Sequence, residues 1–412
     1  LEKLQEYSTQ KAKMLCKRRK LTKALNFSTK VGSILLLTLI LNTGLSFGQS
    51  LTHTPFSSKH FSDKKLLKEA KKAIEKGDSY FNSSFYEEAM KQYEIAYSLN
   101  KSNAQLNHKL GISYYKNGLV SDAISLLKDI PDYHPKLKKD FYFDLATAYH
   151  LGMQFDEAIE AYKQFRKNFS KKDKAEYSRH ISKKIKECEY GKTMVNNPIR
   201  VSIRNMGPDI NSEYPEYAPV ISADESVLMF TSRRPGSTGS EKTLGVYYDD
   251  IYKITMTDNG WTKPVNQGPP MNTPQHDATI GISNDGQTLL LYRDDNAGDI
   301  FYCKLEGSKW SDPIPFPAPI NSEYHEPSAS LSFDNRSLYF VSERPGGRGG
   351  KDIYVSKKDK DGNWGPAENL GRTINTPFDE DGVFIHPDGR TLYFSSQGHN
   401  TIGGFDIFRS VY

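Results

Sequence analysis

The sequence predicts an α+β multidomain chain, an all-α solenoid of helical hairpins followed by an all-β propeller. Three features predict it. Between residues 64 and 192, a small–aromatic–small pattern recurs three times at spacings of 34 and 35 residues. Beyond Pro198 the helical periodicity stops, and short β-rich runs alternate with clusters of Asn, Gly, Pro and Asp. In that second half, the stretch "NSEYPEYAPVISADESVLMFTSRRPG" from Asn211 to Gly236 returns as "NSEYHEPSASLSFDNRSLYFVSERPG" from Asn321 to Gly346, with 13 of 26 positions identical. Self-similarity at a fixed period marks a repeat architecture rather than a single catalytic core.

The first 48 residues stand apart. The run "KAKMLCKRRKLTK" (Lys11 to Lys23) is basic without an acid and holds much of the formal net charge of +5. An apolar core from Ile34 to Leu41 follows, then small residues at Ser46 and Gly48. A basic segment, a short apolar segment and small residues before a cut are the parts of a secretory signal peptide, so cleavage is expected after Gly48. This eight-residue run is too short to span a bilayer, which takes about 20 apolar residues. Met14 is the expected start, with residues 1–13 an over-long extension, and 49–63 a linker. Because the positive charge is concentrated in this leader, the composition does not indicate a nucleic-acid partner. Of the three Cys, only Cys188 and Cys303 lie beyond the expected cut, with no CxxC or Cys/His metal spacing.

Residues 64–192 carry the first repeat family. Small residues stand at Gly77, Gly111 and Ala146, aromatics three positions later at Tyr80, Tyr114 and Tyr149, and second small residues at Ala89, Ala123 and Ala158. Small residues on both helices of a hairpin allow close approach. Tyr93, Leu127 and Tyr162 then fill the space between hairpins. This register resembles the tetratricopeptide repeat, although the Trp of that family is missing and its closing Pro stands only at Pro135. "KAEYSRHISKKIKECEYGK" is expected as a capping helix with a polar outer face. The resemblance implies a curved scaffold whose concave face is built from first-helix positions: Lys71, Asp78, Phe81, His108, Tyr115, Lys116 and His150, with Phe81 and Tyr115 as anchors for a partner.

Residues 198–412 carry the second family. Two weaker copies begin at Asn272 and Asn375, and each copy reaches an Asp-Ile-aromatic run, at Asp250, Asp299, Asp352 and Asp406. The three Trp of the chain, Trp261, Trp310 and Trp364, follow the first three of these. Four short strands per unit are expected, the fourth beginning at Trp and bearing Pro, which suits an outer edge. Four repeated units with Asp-Gly-type hairpins predict four propeller blades. The pattern resembles the WD40-like repeat of TolB-type and OmpA-associated envelope proteins.

Five residues after each repeat's Asn stands an acid: Glu216, Asp277, Glu326 and Glu380. At the innermost strand they would either ring a channel mouth, as a site for a cation or basic partner, or lock the blades by accepting backbone N–H bonds and pairing with Arg234, Arg293 or Arg344 of a neighbouring blade. Locking is the favoured expectation. "DKDGNW" (Asp359 to Trp364) lacks the Gly at position six of a calcium loop and is expected as a hairpin turn. No GxSxG, HExxH or GxxxxGK[ST] pattern occurs, so no catalytic residue, cofactor or metal site is assigned.

Export, tetratricopeptide repeats and a propeller in one chain resemble the OmpA-family envelope proteins of Bacteroidetes, including the peptidoglycan-anchoring component of the type IX secretion machinery. The resemblance implies a non-catalytic scaffold facing the periplasm, associated with the outer membrane and binding other envelope proteins. Cell-wall binding belongs to an OmpA-like domain and is not carried over to these residues. A propeller that senses a small ligand or glycan is the alternative. Tyr412 directly follows a third strand, so further sequence is expected beyond it, with the Val201 segment left unpaired to the last strand.

Overall fold

The computed structural model describes residues 52–134, 140–167, 169–198, 200–239, 241 and 246–412. The expected signal peptide and extension lie outside the described residues. The chain divides into two compact units, Leu1–Asn196 and Asn197–Tyr412.

In the first unit, three helical hairpins follow one another: α1 (Lys64–Asn82) with α2 (Tyr86–Leu99), α3 (Ala104–Lys116) with α4 (Val120–Leu127), and α6 (Asp140–Leu151) with α7 (Phe155–Lys167). A single turn, α5 (Ile130–Tyr133), separates the second and third, and α8 (Lys171–Asn196) closes the array. Helix α1 starts where the Asp63 carboxylate accepts from the backbone N–H groups of Lys65 and Leu66, at 2.8 and 3.0 Å. Asn103 caps α3 in the same way through Leu106 N–H, at 2.9 Å. The hairpins turn through left-handed residues at equivalent places, Ser84 (φ 64°), Gly118 (φ 74°) and Met153 (φ 57°).

The small residues do what the spacing predicts. A Cβ on Gly77 would lie 2.6 Å from the Tyr93 ring, and one on Gly111 would lie 2.5 Å from Leu127. Ala89, Ala123, Ala146 and Ala158 are fully buried. Helix α8 buries Ile181, Cys188 and Gly191 and runs to Asn196, four residues beyond the expected boundary at 192. Residues 53–56, expected as linker, are pinned to this unit. The Thr54 carbonyl accepts from the side-chain amides of Asn100 and Asn103, and Phe56 packs on the core around Tyr93.

In the second unit, four antiparallel sheets form four propeller-like blades. Blade 1 holds β1 (Glu216–Ile221), β2 (Val227–Ser232), β3 (Asp250–Thr257), β4 (Gly260–Trp261) and β5 (Val265–Asn266). Blade 2 holds β6 (Asp277–Ile282), β7 (Thr288–Arg293), β8 (Asp299–Glu306), β9 (Lys309–Trp310) and β10 (Ile314–Pro315). Blade 3 holds β11 (Ala329–Leu331), β12 (Ser337–Ser342), β13 (Asp352–Lys357) and β14 (Glu368–Asn369), and blade 4 holds β15 (Glu380–Ile385), β16 (Thr391–Ser396) and β17 (Asp406–Val411). The first strands of successive blades are neighbours, β1 beside β6, β6 beside β11 and β11 beside β15.

Three cores lie between blades, and a fourth, around Leu228, Phe230, Tyr252 and Ile254, belongs to blade 1 with Ile210. Met229, Ile251, Leu289 and Leu291 fill the space between blades 1 and 2, Leu290, Ile300, Leu338 and Phe340 that between 2 and 3, and Val341, Ile353, Leu392 and Phe394 that between 3 and 4. A sheet with two apolar faces is stable only when both are covered, which is why the unit repeats.

One expectation is corrected. The Trp does not open the outermost strand. Trp261 and Trp310 pair back on β3 and β8 as β4 and β9, and the outer strands β5, β10 and β14 start only after Pro264, Pro313 and Pro366. Proline has no N–H to give to the ladder and splits the segment in two. The Val201 segment is left unpaired to the last strand, as expected: residues 201–207 lack ladder partners, and β17 pairs with β16 alone.

Candidate functional site

The first helices of the three hairpins, α1, α3 and α6, carry the residues expected to line a groove. Lys71 is exposed on α1. Asp78 accepts from the Tyr93 hydroxyl and from Lys109 Nζ, both at 2.7 Å, so one carboxylate ties α1 to α2 and to α3. His108 Nε2 lies 2.7 Å from Asp144 Oδ2, which ties α3 to α6. The Tyr115 hydroxyl donates to Asp144 Oδ1 at 3.0 Å. Lys116 Nζ stands over the rings of Tyr86 and Tyr115, at 5.7 and 5.6 Å. His150 packs edge-on to Phe155 and Tyr162.

The expected aromatic anchors are not free. Tyr115 is only 4% exposed, and burial, reinforced by Asp144, holds its hydroxyl well above the usual phenol range. Phe81 packs against Tyr86 and Tyr93 inside its own hairpin. The face is therefore polar. Lys71, Lys109 and His108 supply cationic or ionisable groups, and two carboxylates hold Lys109 and His108 in place across repeat boundaries. Lys109 and Asp144 were not singled out in the sequence. The signal lay in the period: Asp78 to Lys109 and His108 to Asp144 are each about one repeat apart.

The four repeat acids accept hydrogen bonds from residues of their own blades. Glu326 takes the Ser322 N–H on Oε2 at 3.1 Å, and the Ser322 and Ser342 hydroxyls on Oε1, each at 2.6 Å, with Arg344 beside it at 3.4 Å. Glu216 accepts from Ser212 N–H, Ser232 and Arg234 in the same way. Asp277 accepts from Thr273 and Arg293, and Glu380 from Thr376 and Ser396. Asp277, Glu326 and Glu380 are fully buried, and burial pushes the carboxyl groups of Asp277 and Glu380 up. Each carboxylate accepts its hydrogen bonds from its own blade, and three of the four are closed off from solvent. The arginines pair within a blade, not with a neighbouring one as expected, because the acid and the basic residue sit at the same end of adjoining strands.

A second feature of the repeat had no expectation attached. Arg234, Arg293, Arg344 and His399 each donate to the carbonyl preceding or shortly preceding the repeat's Asn, at Ile210, Met271, Ile320 and Ile374. Arg234 lies over the Phe230 and Tyr252 rings, and Arg344 over Phe340 and Tyr354. His399 packs on Phe394 and Phe408 in the same manner.

The Asn itself joins blades. Asn272 accepts from Ile251 N–H and donates to its carbonyl, at 2.9 and 3.1 Å. Asn321 does the same to Ile300, and Asn375 to Ile353. A side-chain amide thus stands in for a ladder partner on the strand of the preceding blade.

Among the described residues, no group of three or more His, Cys, Asp or Glu side chains is placed to hold a metal ion. Among the same residues, no helix is long and apolar enough to cross a membrane.

Comparison with known proteins agrees with the helical unit. A family model described as TPR repeat matches residues 77–118, and one described as tetratricopeptide repeat matches residues 140–171. No curated protein matches the chain. Among solved structures, TolB from Acinetobacter baumannii is similar at 14% identity over 49% of this chain, with a TM-score of 0.32, and this chain spans 42% of that one. An α-L-arabinofuranosidase from Lactobacillus brevis is similar at 14% identity over 48% of this chain and 72% of its own, with a TM-score of 0.32. The TPR2B domain of yeast Sti1, in a complex with pHsp70, is similar at 20% identity over 31% of this chain and 98% of its own, with a TM-score of 0.24. Residues 64–196 are a helical region of tetratricopeptide repeats, modules of protein interaction rather than catalysis, and they precede four propeller-like β blades.

Proposed function

We propose that this chain is a non-catalytic scaffold of the bacterial cell envelope. It is exported to the periplasm, associates with the outer membrane through partners, and serves protein assembly there, with secretion machinery as the setting. The observation that carries the reading is the polar face of the helical array. Lys109–Asp78 and His108–Asp144 cross successive repeat boundaries, so three first helices present one pre-organised surface. Side chains already held in place lose little freedom on docking. Export rests on the leader segment between Lys11 and Gly48.

Site-specific photo-cross-linking in native cells tests both parts. A photoreactive group at position 71 is expected to yield a discrete adduct with an envelope protein, and the same group at Lys163, on α7, to yield none. Adducts of equal yield at both positions, or adducts only with cytosolic proteins, overturn the docking reading. N-terminal sequencing of the recovered chain is expected to begin at Gln49, and a chain that keeps Val31 to Leu45 overturns export.

A further inference from the structure

One cavity lies between blades 2 and 3, at the edge of the core they share and beside the turn that ends at Trp364. Its volume is about 490 Å³, and its walls include Tyr302, Lys304, Phe316, Asn335, Lys358 and Trp364. That size falls in the range of small-molecule sites. Phe316 and Trp364 form an aromatic wall, with ring centroids 5.8 Å apart. Lys358 Nζ stands 4.7 Å over the Trp364 ring, and Lys304 Nζ donates to the Thr288 hydroxyl at 2.7 Å while lying over Tyr302.

Lys304 is exposed and Lys358 is half-buried. Among the described residues, neither has a carboxylate within ion-pair distance, although Asp285 and Asp334 act on them from further off. Burial lowers the affinity of Lys358 for its proton, and the charges of Lys304 and Arg336 lower it further. The amide oxygen of Asn335 is buried at the same cavity without a hydrogen-bond partner.

The repeat supplies an internal control. In blade 2, Leu305 sits opposite Trp310, in the register where blade 3 places Lys358 opposite Trp364. In blade 1, Thr255 sits opposite the first residue of β2, in the register where blade 2 places Lys304 opposite Thr288. Between blades 1 and 2 the two positions are thus Thr255 and Leu305. The fold does not need lysine at either, and Gln267 follows β5 where Phe316 follows β10. The combination of two cations and an aromatic wall belongs to this one inter-blade space.

We propose that the cavity binds a small ring-bearing organic carboxylate, its ring against Phe316 and Trp364 and its carboxylate taken by Lys304 and Lys358. The anion supplies the negative charge that the two amines lack, and the ring covers the aromatic wall. Acidic sugars and aromatic acids share this chemistry. The site is independent of docking by the helical array.

Titration calorimetry on the whole chain tests it, with glucuronic acid and phenylacetic acid against their uncharged counterparts, glucose and 2-phenylethanol. One of the acids is expected to saturate a single site at least about tenfold more tightly than its uncharged counterpart, a ratio worth about 1.4 kcal/mol. The acid that does so identifies the source. Lys304→Gln is expected to weaken that binding about tenfold or more. Lys358→Leu installs the residue that blade 2 already carries at this register, so it is expected to abolish binding while leaving the melting temperature equal or higher. Absence of saturation by both acids up to about 10 mM, which corresponds to less than about 3 kcal/mol of binding, overturns the proposal. So do equal affinities for acid and uncharged counterpart, or binding that persists in both lysine variants.

Discussion

The two halves of the chain repeat different things. In the helical array the recurring residues are defined by volume: Gly77 admits Tyr93, Gly111 admits Leu127, and four alanines let helices touch. In the blades the recurring residues are defined by hydrogen bonds: Asn to the preceding blade, acid to Ser or Thr, basic side chain to a carbonyl. The difference follows from the backbone. A helix satisfies its own N–H and C=O groups internally, so its repeat has only shape to specify. A blade of short strands leaves many backbone groups at strand ends and loops, and side chains must meet them.

That contrast predicts a ranking of mutational costs. Glu326→Ala should be the most damaging, because it strands Arg344, two hydroxyls and an N–H around a buried hole. Breaking a buried charged pair in this way costs about 3–5 kcal/mol. All three Trp lie in the propeller, so the loss should appear in the Trp-fluorescence melt and leave the far-ultraviolet helical signal at its own midpoint. A loss under about 1 kcal/mol, the size of an ordinary surface hydrogen bond, would mean that the acid is not a lock.

Asn375→Ala comes next. It leaves the buried N–H of Ile353 without a partner, at about 1–3 kcal/mol less whatever the loop recovers by moving, while the Ile353 carbonyl keeps the Leu370 N–H at 3.1 Å. Denaturant titration followed by Trp fluorescence measures it, and an unchanged midpoint would remove the Asn from the account of how blades are joined. Gly77→Ala reports on the other half. Overpacking against the Tyr93 ring costs about 1–3 kcal/mol, and the helical preference of Ala over Gly returns about 1. The helical signal should therefore melt somewhat earlier, with the fluorescence midpoint unmoved. A cost larger than that of Glu326→Ala would invert the ranking.

The smallest effect should be a gain. Met153 holds φ 57° at a hairpin turn where the second hairpin uses Gly118. Met153→Gly relieves a left-handed conformation that costs a side-chain-bearing residue about 1–2 kcal/mol, and loses part of that to the greater freedom of unfolded Gly. A rise of a few degrees at most is expected in the helical midpoint, and a fall would show that the Met153 side chain, 65% exposed, contributes more than it appears to from its contacts.

How much of this was legible in the sequence depends on how far apart the interacting residues lie and whether they keep a fixed spacing. The 34-residue period exposed the hairpins, because Gly77, Tyr80 and Ala89 keep their offsets in each copy. The acids were legible for the same reason, each five residues after its Asn. The three clamping arginines were legible but were assigned to a neighbouring blade, and His399 was missed, since the basic residues shift register. Arg293 lies directly across from Asp277, whereas Arg234 and Arg344 stand two residues past the serine that faces the acid, and His399 three past it. Tyr115 was misjudged because its exposure is set by α6 of the next hairpin, through Asp144, and no pattern within one repeat encodes that cover. The cavity was illegible altogether. Lys304 and Lys358 belong to different blades and meet only when those blades stack.

The bonds made by the repeated Asn have a direction. Asn272, Asn321 and Asn375 all reach back to a strand that precedes them in the chain, and the N–H groups of Asp277, Glu326 and Glu380 likewise donate to carbonyls of the blade before. Each blade thus completes its own fastening on a neighbour that has already been synthesised, and none of these bonds waits for sequence still to come. A chain that emerges from a ribosome or a translocation pore N-terminus first can add blades in order, each new sheet closing onto a finished one.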